Sequence, residues 1–173
     1  PLECVFTVQG EDGMGGAKGL DFSKLSAKRM VGLDGLQEGA TIFSASAVKA
    51  GKIVKTFEKE NIVGNTFAIK ISDLTSGRGG NNIGFGQANA IKVLADLLYK
   101  VNNKFNISLS SIDGGTMVHT IPPECEGIFK TAAKFLEVKE FVYTTFDKLK
   151  KEYAATDPNM RVECREISND VKV

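Results

Sequence analysis

Apolar and polar residues alternate in several short stretches of the chain. In residues 66–72, Phe67, Ile69 and Ile71 alternate with smaller or polar side chains, which is the period of a strand with one buried face. Residues 107–112 and 160–167 alternate in the same way. Residues 41–48 and 124–131 are also typical of strands, the latter interrupted by a glycine. These patterns predict five strands after residue 40.

Two longer stretches have helical spacing. In residues 87–103, Ile91, Leu94, Leu98 and Val101 form one apolar stripe. Residues 134–153 form a second amphipathic pattern, which ends before the helix-breaking sequence T-D-P at residues 156–158. The order strand, strand, helix, strand, strand, helix, strand predicts an α+β domain over residues 40–173, with a ferredoxin-like antiparallel sheet and two helices.

The first 39 residues have a different pattern. Residues 3–8 and 28–33 predict two short strands, and residues 20–25 predict about one helical turn between them. Strand, connection, strand is typical of a parallel α/β sheet, but two strands alone do not form a stable one. We therefore expect residues 1–39 to be a short α/β piece of another domain, and the start at Pro1 suggests a piece of a longer protein.

Composition excludes several classes of function. The 173 residues carry 22 basic and 21 acidic side chains, so the chain has almost no net positive charge that would favour binding to nucleic acid or to an anionic membrane. No apolar run is long enough to span a bilayer and no signal peptide is evident, so we expect a cytoplasmic protein without nucleic-acid or membrane partners. Cys4, Cys125 and Cys164 are odd in number and widely spaced, which favours reduced thiols.

The chain contains a single histidine, His119. Zinc hydrolases and acyl-transfer triads use at least one imidazole and often more, so a self-contained zinc hydrolase is close to excluded. His119 lies in a predicted strand, where a structural hydrogen-bonding role is the favoured interpretation.

Two glycine-rich segments are candidate binding loops. Residues 10–16 follow a predicted strand, but they match no phosphate-binding motif and contain Glu11 and Asp12, which favours a plain turn. Residues 76–86 contain Arg78, Asn81 and Asn82, which suit a carboxylate or a peptide. The favoured alternative for this second segment is a flexible linker that satisfies the N-terminus of the following helix.

Four segments together resemble a known family. The sequence F-T-V-Q-G-E-D-G-M-G-G-A at residues 6–17 resembles the F-T-x-D-E-E-x-G-x-x-G-A segment of the zinc-dependent dipeptidase, aminoacylase and carboxypeptidase superfamily. V-G-L-D at residues 31–34 resembles its N-L-D segment. Residues 76–90 resemble its G-G-H-S-G…G-x-x-N-A stretch, and residues 110–122 its G-G-T…N-x-I-P stretch. The aminoacyl-histidine (Xaa-His) dipeptidase branch is the most similar.

The resemblance implies a zinc-binding α/β catalytic domain, represented by residues 1–39, and an inserted α+β lid or dimerisation domain, residues 40–173. It assigns Glu11 and Asp34 as metal ligands. It also reveals departures: Gly10 stands where the family has its general base, and glycine cannot accept a proton. Arg78 stands in place of the lid histidine, and His119 in place of the asparagine of N-x-I-P.

Two hypotheses follow from the resemblance. In the first, the chain is a segment of a zinc-dependent dipeptidase-like hydrolase of short peptides, inactive alone and without tightly bound zinc. It would contribute a lid, a homodimer interface and substrate contacts through Arg78, Gly79, Asn81, Asn82 and His119. In the second, a peptidase homologue has lost its catalysis and serves as an oligomerisation or partner-binding module.

Overall fold

The structure is a computed structural model that describes residues 2–30, 38–43 and 51–168 of the chain. The chain forms two compact units, Pro1–Lys55 and Thr56–Val173. The domain boundary expected after residue 39 stays a prediction.

The described part of the first unit contains two short helical segments. Helix α1, Gly15–Lys18, is a single turn, and Phe22–Lys24 forms a 3-10 turn in which the side chain of Asp21 accepts the N–H of Ser23. The carboxylate of Glu3 accepts hydrogen bonds from the backbone N–H groups of Ser26 and Ala27, each at 3.1 Å. The helical turn expected within residues 20–25 is therefore present.

The strand predicted at residues 3–8 is wrong, because these residues adopt no regular structure. Their strand-forming side chains are exposed, with Phe6 at 93%, and within the described residues no neighbouring strand pairs with them. A strand is stable only when its backbone is paired and one face is covered. Of the strands predicted at residues 28–33 and 41–48, residues 28–30 and 41–43 are not strand, and the rest lie outside the described residues.

The second unit is an α+β domain. Its elements, in chain order, are β1 Asn65–Ser72, α2 Gly79–Asn82, a 3-10 turn Ile83–Phe85, α3 Ala90–Phe105, β2 Ser108–Gly114, β3 Cys125–Thr131, α4 Phe135–Glu152 and β4 Arg161–Ile167. The four strands form one antiparallel sheet in the order β2-β3-β1-β4. This arrangement confirms the predicted ferredoxin-like α+β class.

The core lies between one face of the sheet and the helices α3 and α4. Phe67, Ile69 and Ile71 of β1 all lie in it, as their alternation predicts. Gly127 of β3 lies beneath α3, where an added Cβ would be 2.9 Å from Leu98 Cδ1. The missing side chain therefore allows α3 to pack closely on the sheet. The other fully buried large side chains of this core are Phe129, Leu94, Leu97, Val101, Val138, Val142 and Met160.

Helix α3 begins three residues later than predicted, because Asn89 is its N-cap. The Asn89 side chain accepts hydrogen bonds from the N–H groups of Ile91 at 3.0 Å and Lys92 at 3.3 Å. Asn106 ends the helix with φ of 50°.

Charged residues line the sheet face opposite the helices. Lys70 of β1 forms an ion pair with Glu124 at 2.9 Å. Arg165 of β4 pairs with Glu126 of β3 and also lies 3.8 Å from Glu163. The alternation along each strand therefore separates an apolar face from a charged one.

Candidate functional site

Two loops of the second unit meet and are joined by backbone hydrogen bonds. Arg78 and Thr120 form an isolated antiparallel bridge. On either side of it, the Gly79 N–H donates to the His119 carbonyl at 2.8 Å, and the Ile121 N–H donates to the Gly77 carbonyl at 2.9 Å. Residues 74–86, the first loop, and residues 115–123, the second loop, therefore form one surface, which we call the paired-loop surface.

The second loop is closed by its own turn. Gly115 takes φ of 79°, a left-handed conformation that favours glycine, directly after strand β2. The Met117 carbonyl then accepts hydrogen bonds from both the N–H of Thr120, at 3.2 Å, and its side-chain hydroxyl, at 3.0 Å. This turn places Val118 and His119 at its tip. The predicted strand around His119 is therefore wrong: the histidine lies in a turn and is half-buried.

The first loop depends on a glycine at residue 77. A Cβ at Gly77 would lie 2.6 Å from Cγ of Asn82, so the Asn82 side chain occupies the space that a larger residue would fill. The N–H groups of Asn81 and Asn82 donate to the Arg78 carbonyl at 3.1 and 2.8 Å and form the turn of α2. Both asparagines are thus fixed relative to Arg78 by local backbone bonds.

These contacts contradict the flexible-linker interpretation of residues 76–86. The segment consists of two consecutive helical turns tied to the second loop. It does not cap helix α3, because Asn89 does so.

A buried aspartate holds the start of the first loop in place. Asp157 is completely buried, and its two carboxylate oxygens accept the N–H groups of Thr75 at 2.8 Å and Ala88 at 2.7 Å. The Thr75 hydroxyl also donates to the Thr156 carbonyl at 2.8 Å. Sequence reasoning assigned residues 156–158 only as a helix breaker, and nothing in the local pattern indicates this carboxylate's distant partners.

All five residues expected to contact substrate lie on the paired-loop surface. Arg78 is exposed, and the backbone bridge brings it beside the His119 segment. Arg78 is the only charged residue in either loop, since residues 74–86 and 115–123 contain no Asp, Glu or Lys. A surface with one guanidinium, carboxamides and no carboxylate can accept an anionic group without local repulsion.

The expected metal ligands are not assembled in the described residues. Glu11 is exposed in a tight turn, in which the Met14 N–H donates to the Gln9 carbonyl at 2.8 Å. Asp34 lies outside the described residues. Nowhere in residues 2–30, 38–43 and 51–168 do three or more His, Cys, Asp or Glu residues form a group that could hold a metal. The described residues therefore do not fit zinc by themselves, since zinc sites need three or four such ligands.

Comparison with known proteins shows what the segment that carries this surface is similar to. Residues 75–157 match the family described as "Peptidase dimerisation domain". This stretch is similar to the dimerisation domains of peptidases. The match begins at Thr75 and ends at Asp157, the same two residues that are joined by a hydrogen bond.

The chain as a whole is similar to two dipeptidases. The cytosol non-specific dipeptidase of Escherichia coli (strain K12) is 29% identical over 177 residues, covering 98% of this chain and 36% of the relative. The crystal structure of aminoacylhistidine dipeptidase from Vibrio alginolyticus has the same fold, with a TM-score of 0.66 at 20% identity, covering 96% of this chain and 35% of that one. The resemblance identified from the sequence motifs is confirmed. The chain spans about a third of the length of both proteins.

None of the helices in the described residues is long and apolar enough to cross a membrane.

Proposed function

We propose that this chain is a segment of a zinc-dependent, aminoacyl-histidine dipeptidase-like hydrolase of the cytoplasm, and that it contributes a lid, substrate contacts and a homodimer interface. The activity of such a hydrolase requires residues beyond this chain, so the isolated chain neither hydrolyses peptides nor binds zinc tightly. The match of residues 75–157 to the peptidase dimerisation domain family supports the assembly role most directly.

The outer strand β2 supports a dimer interface. Leu109 and Ile112 pair with Phe129 and Gly127, which face the helices, yet they remain 46% and 41% exposed because β2 is the last strand on that side. An exposed edge strand with apolar side chains is a surface to which another protein chain can bind. In the proposed dimer a second copy covers it.

Helix α3 extends the same apolar surface. Ile91, Ala95 and Tyr99 follow one another at intervals of four residues, so they form one stripe along the helix, and all three are exposed. The helix packs on β3, the neighbour of β2 in the sheet, because Leu94 and Leu98 lie against Gly127. In the proposed two-fold dimer, the strand edge and the helix stripe together form the surface that the second copy covers.

Light scattering after size-exclusion chromatography tests this interface. The chain should elute as a dimer, and Ile112→Lys or Tyr99→Lys should shift it to a monomer, because a charge at the centre of an apolar interface is costly. Leu136→Lys is the matched control, because Leu136 is an exposed apolar residue of the other long helix, α4. A wild-type chain that stays monomeric at high concentration, or variants that dimerise like the control, would overturn the interface.

The paired-loop surface supports the contacts to a short peptide. We assign the substrate carboxylate to Arg78, with Gly79, Asn81, Asn82 and His119 as neighbouring contacts. Isothermal titration of the dipeptide Ala-His tests this assignment: Arg78→Ala should weaken binding at least tenfold, while Lys148→Ala, an exposed cation on α4, should not. Equal binding by the wild type and Arg78→Ala would remove Arg78 from the site.

Glu11 and Asp34 remain the proposed zinc ligands of a complete hydrolase. A purified chain that hydrolyses Ala-His with added zinc, and keeps this activity on further purification, would overturn the proposal that the segment is inactive alone.

Gly10 favours a second candidate, a homologue without catalysis that acts as an assembly or partner-binding module. The residue at this position cannot accept a proton. Zinc content separates the two candidates in the full-length natural protein. Stoichiometric, tightly bound zinc together with Ala-His hydrolysis supports the hydrolase, whereas binding of peptide without zinc or hydrolysis supports the module.

A further inference from the structure

Exposed apolar side chains lie on the same two loops as Arg78. Ile83 and Phe85 belong to the 3-10 turn that follows α2, and Met117 and Val118 lie in the turn of the second loop. Val118 is 100% exposed. Single exposed apolar residues are common, but a set of four on two joined loops is typical of a binding surface.

The backbone holds these apolar residues close to the cation. Val118 precedes His119, whose carbonyl is bound by the Gly79 N–H, so the tip of the second loop adjoins the first residue of α2. Ile83 follows Gly79 by one helical turn. Both apolar pairs are thus attached to the segment that carries Arg78, and neither depends on a long, mobile connection.

The same surface offers no acidic partner to a basic side chain of a ligand. The two loops contain no carboxylate that would bind a basic group. The guanidinium of Arg78 is complementary to a carboxylate, and the apolar neighbours are complementary to a hydrocarbon side chain next to it.

We infer that the paired-loop surface recognises the C-terminal residue of a short peptide, binding its carboxylate through Arg78 and preferring an apolar side chain over histidine or serine. This inference rests on the proposed peptide-binding function and names the class of peptide that the site selects.

Titration of the chain with matched dipeptides tests the preference. Ala-Leu should bind at least tenfold more tightly than Ala-Ser and more tightly than Ala-His, because burial of a leucine side chain corresponds to about a tenfold or larger gain in affinity. Amidated Ala-Leu, which lacks the carboxylate, should bind at least tenfold more weakly than Ala-Leu.

A double variant tests which residues produce the preference. Met117→Ser with Val118→Ser should reduce Ala-Leu affinity to that of Ala-Ser. Val63→Ser is the matched control, because Val63 is equally exposed in the same unit but lies outside both loops. The substitutions in the double variant and in the control are all at exposed positions, so the fold should be retained in each protein. Circular dichroism checks this.

The outcomes separate the two levels of the proposal. Equal affinity for Ala-Leu, Ala-Ser and Ala-His would overturn the apolar preference and leave the peptide-binding function standing. Binding of none of these peptides would overturn both. A preference for Ala-Leu that survives the double variant would place the selecting residues elsewhere and overturn the assignment to Met117 and Val118.

Discussion

The side chain of Asp157 accepts a hydrogen bond from the backbone N–H of Ala88 at 2.7 Å, across 69 positions of sequence. Its other oxygen accepts the N–H of Thr75 at 2.8 Å. One buried carboxylate therefore joins the exit of β1, the entry to α3 and the connection before β4. The paired-loop surface begins at this junction.

Replacement of Asp157 should strongly destabilise the second unit. Asp157→Ala leaves two N–H groups without their charged acceptor, at a cost of about 3 kcal/mol or more, because each buried unpaired donor costs about 1–3 kcal/mol. Urea unfolding followed by circular dichroism measures the change. Asp147→Ala, at an exposed position of α4, is the control and should change the free energy of unfolding by less than about 0.5 kcal/mol. Equal effects of the two substitutions would contradict the role of Asp157.

Gly127 should not tolerate a larger side chain. A Cβ there would lie 2.9 Å from Leu98 Cδ1 and 3.3 Å from Leu94 Cδ2, so Gly127→Val must displace both leucines and should cost about 1–3 kcal/mol. Gly127→Ala should cost less, because the ends of the two leucines can shift. Thermal unfolding compares these variants with Gly84→Ala, where the added Cβ meets nothing within 4 Å. A Gly127→Val protein as stable as the wild type would show that α3 can move away from the sheet.

The three thiols should differ in reactivity. Burial raises the pKa of Cys164 to about 11, and burial together with the charge of Asp113 raises the pKa of Cys125. The reactive thiolate is therefore scarce at pH 8 at both positions, and both sulfurs are buried, whereas Cys4 is exposed. Iodoacetamide at pH 8, followed by mass spectrometry, should label Cys4 first. Labelling of Cys164 at the same rate in the folded chain would contradict the packing of β4.

The ion pair on the charged sheet face should contribute to stability up to alkaline pH. The hydrogen bond and the charge of Glu124 raise the pKa of Lys70 above its ordinary value of 10.5. A raised folded-state pKa means that the contribution is complete below the unfolded pKa and is lost as pH rises through the folded one. The stability difference between wild type and Lys70→Gln should therefore be constant from pH 7 to 9 and shrink above pH 10.5. Because both side chains are partly exposed, added salt should also reduce this difference.

The four strands and the two long helices of the second unit could be predicted because their sequences carry a regular pattern of apolar residues. Phe67, Ile69 and Ile71 alternate in sequence and all lie in the core, and the stripe of α3 contains the buried Leu94 and Leu98. The strand predicted at residues 3–8 failed although its residues favour strands, because pairing is a tertiary property that no local pattern reveals.

The candidate site was predictable only as a set of residue types. The sequence indicates Arg78 and His119 as candidates, but they are brought together by backbone hydrogen bonds of Gly79 and Ile121, which any residue except proline can donate. Asp157 was missed for a related reason. An aspartate before a proline is a common signal for a turn, and the two N–H groups that it binds lie far away in sequence.

The register of β1 and β4 also has a topological consequence. Thr66, at the start of β1, is paired with Ile167, at the end of β4, so the chain enters and leaves the sheet at adjacent points. A domain whose two connections lie side by side can interrupt a loop of a host fold without forcing the flanking host segments apart. The termini of such a unit can be relocated by circular permutation, because only a short linker is needed to join these neighbouring ends. The same proximity allows the domain to be gained or lost as one piece during evolution.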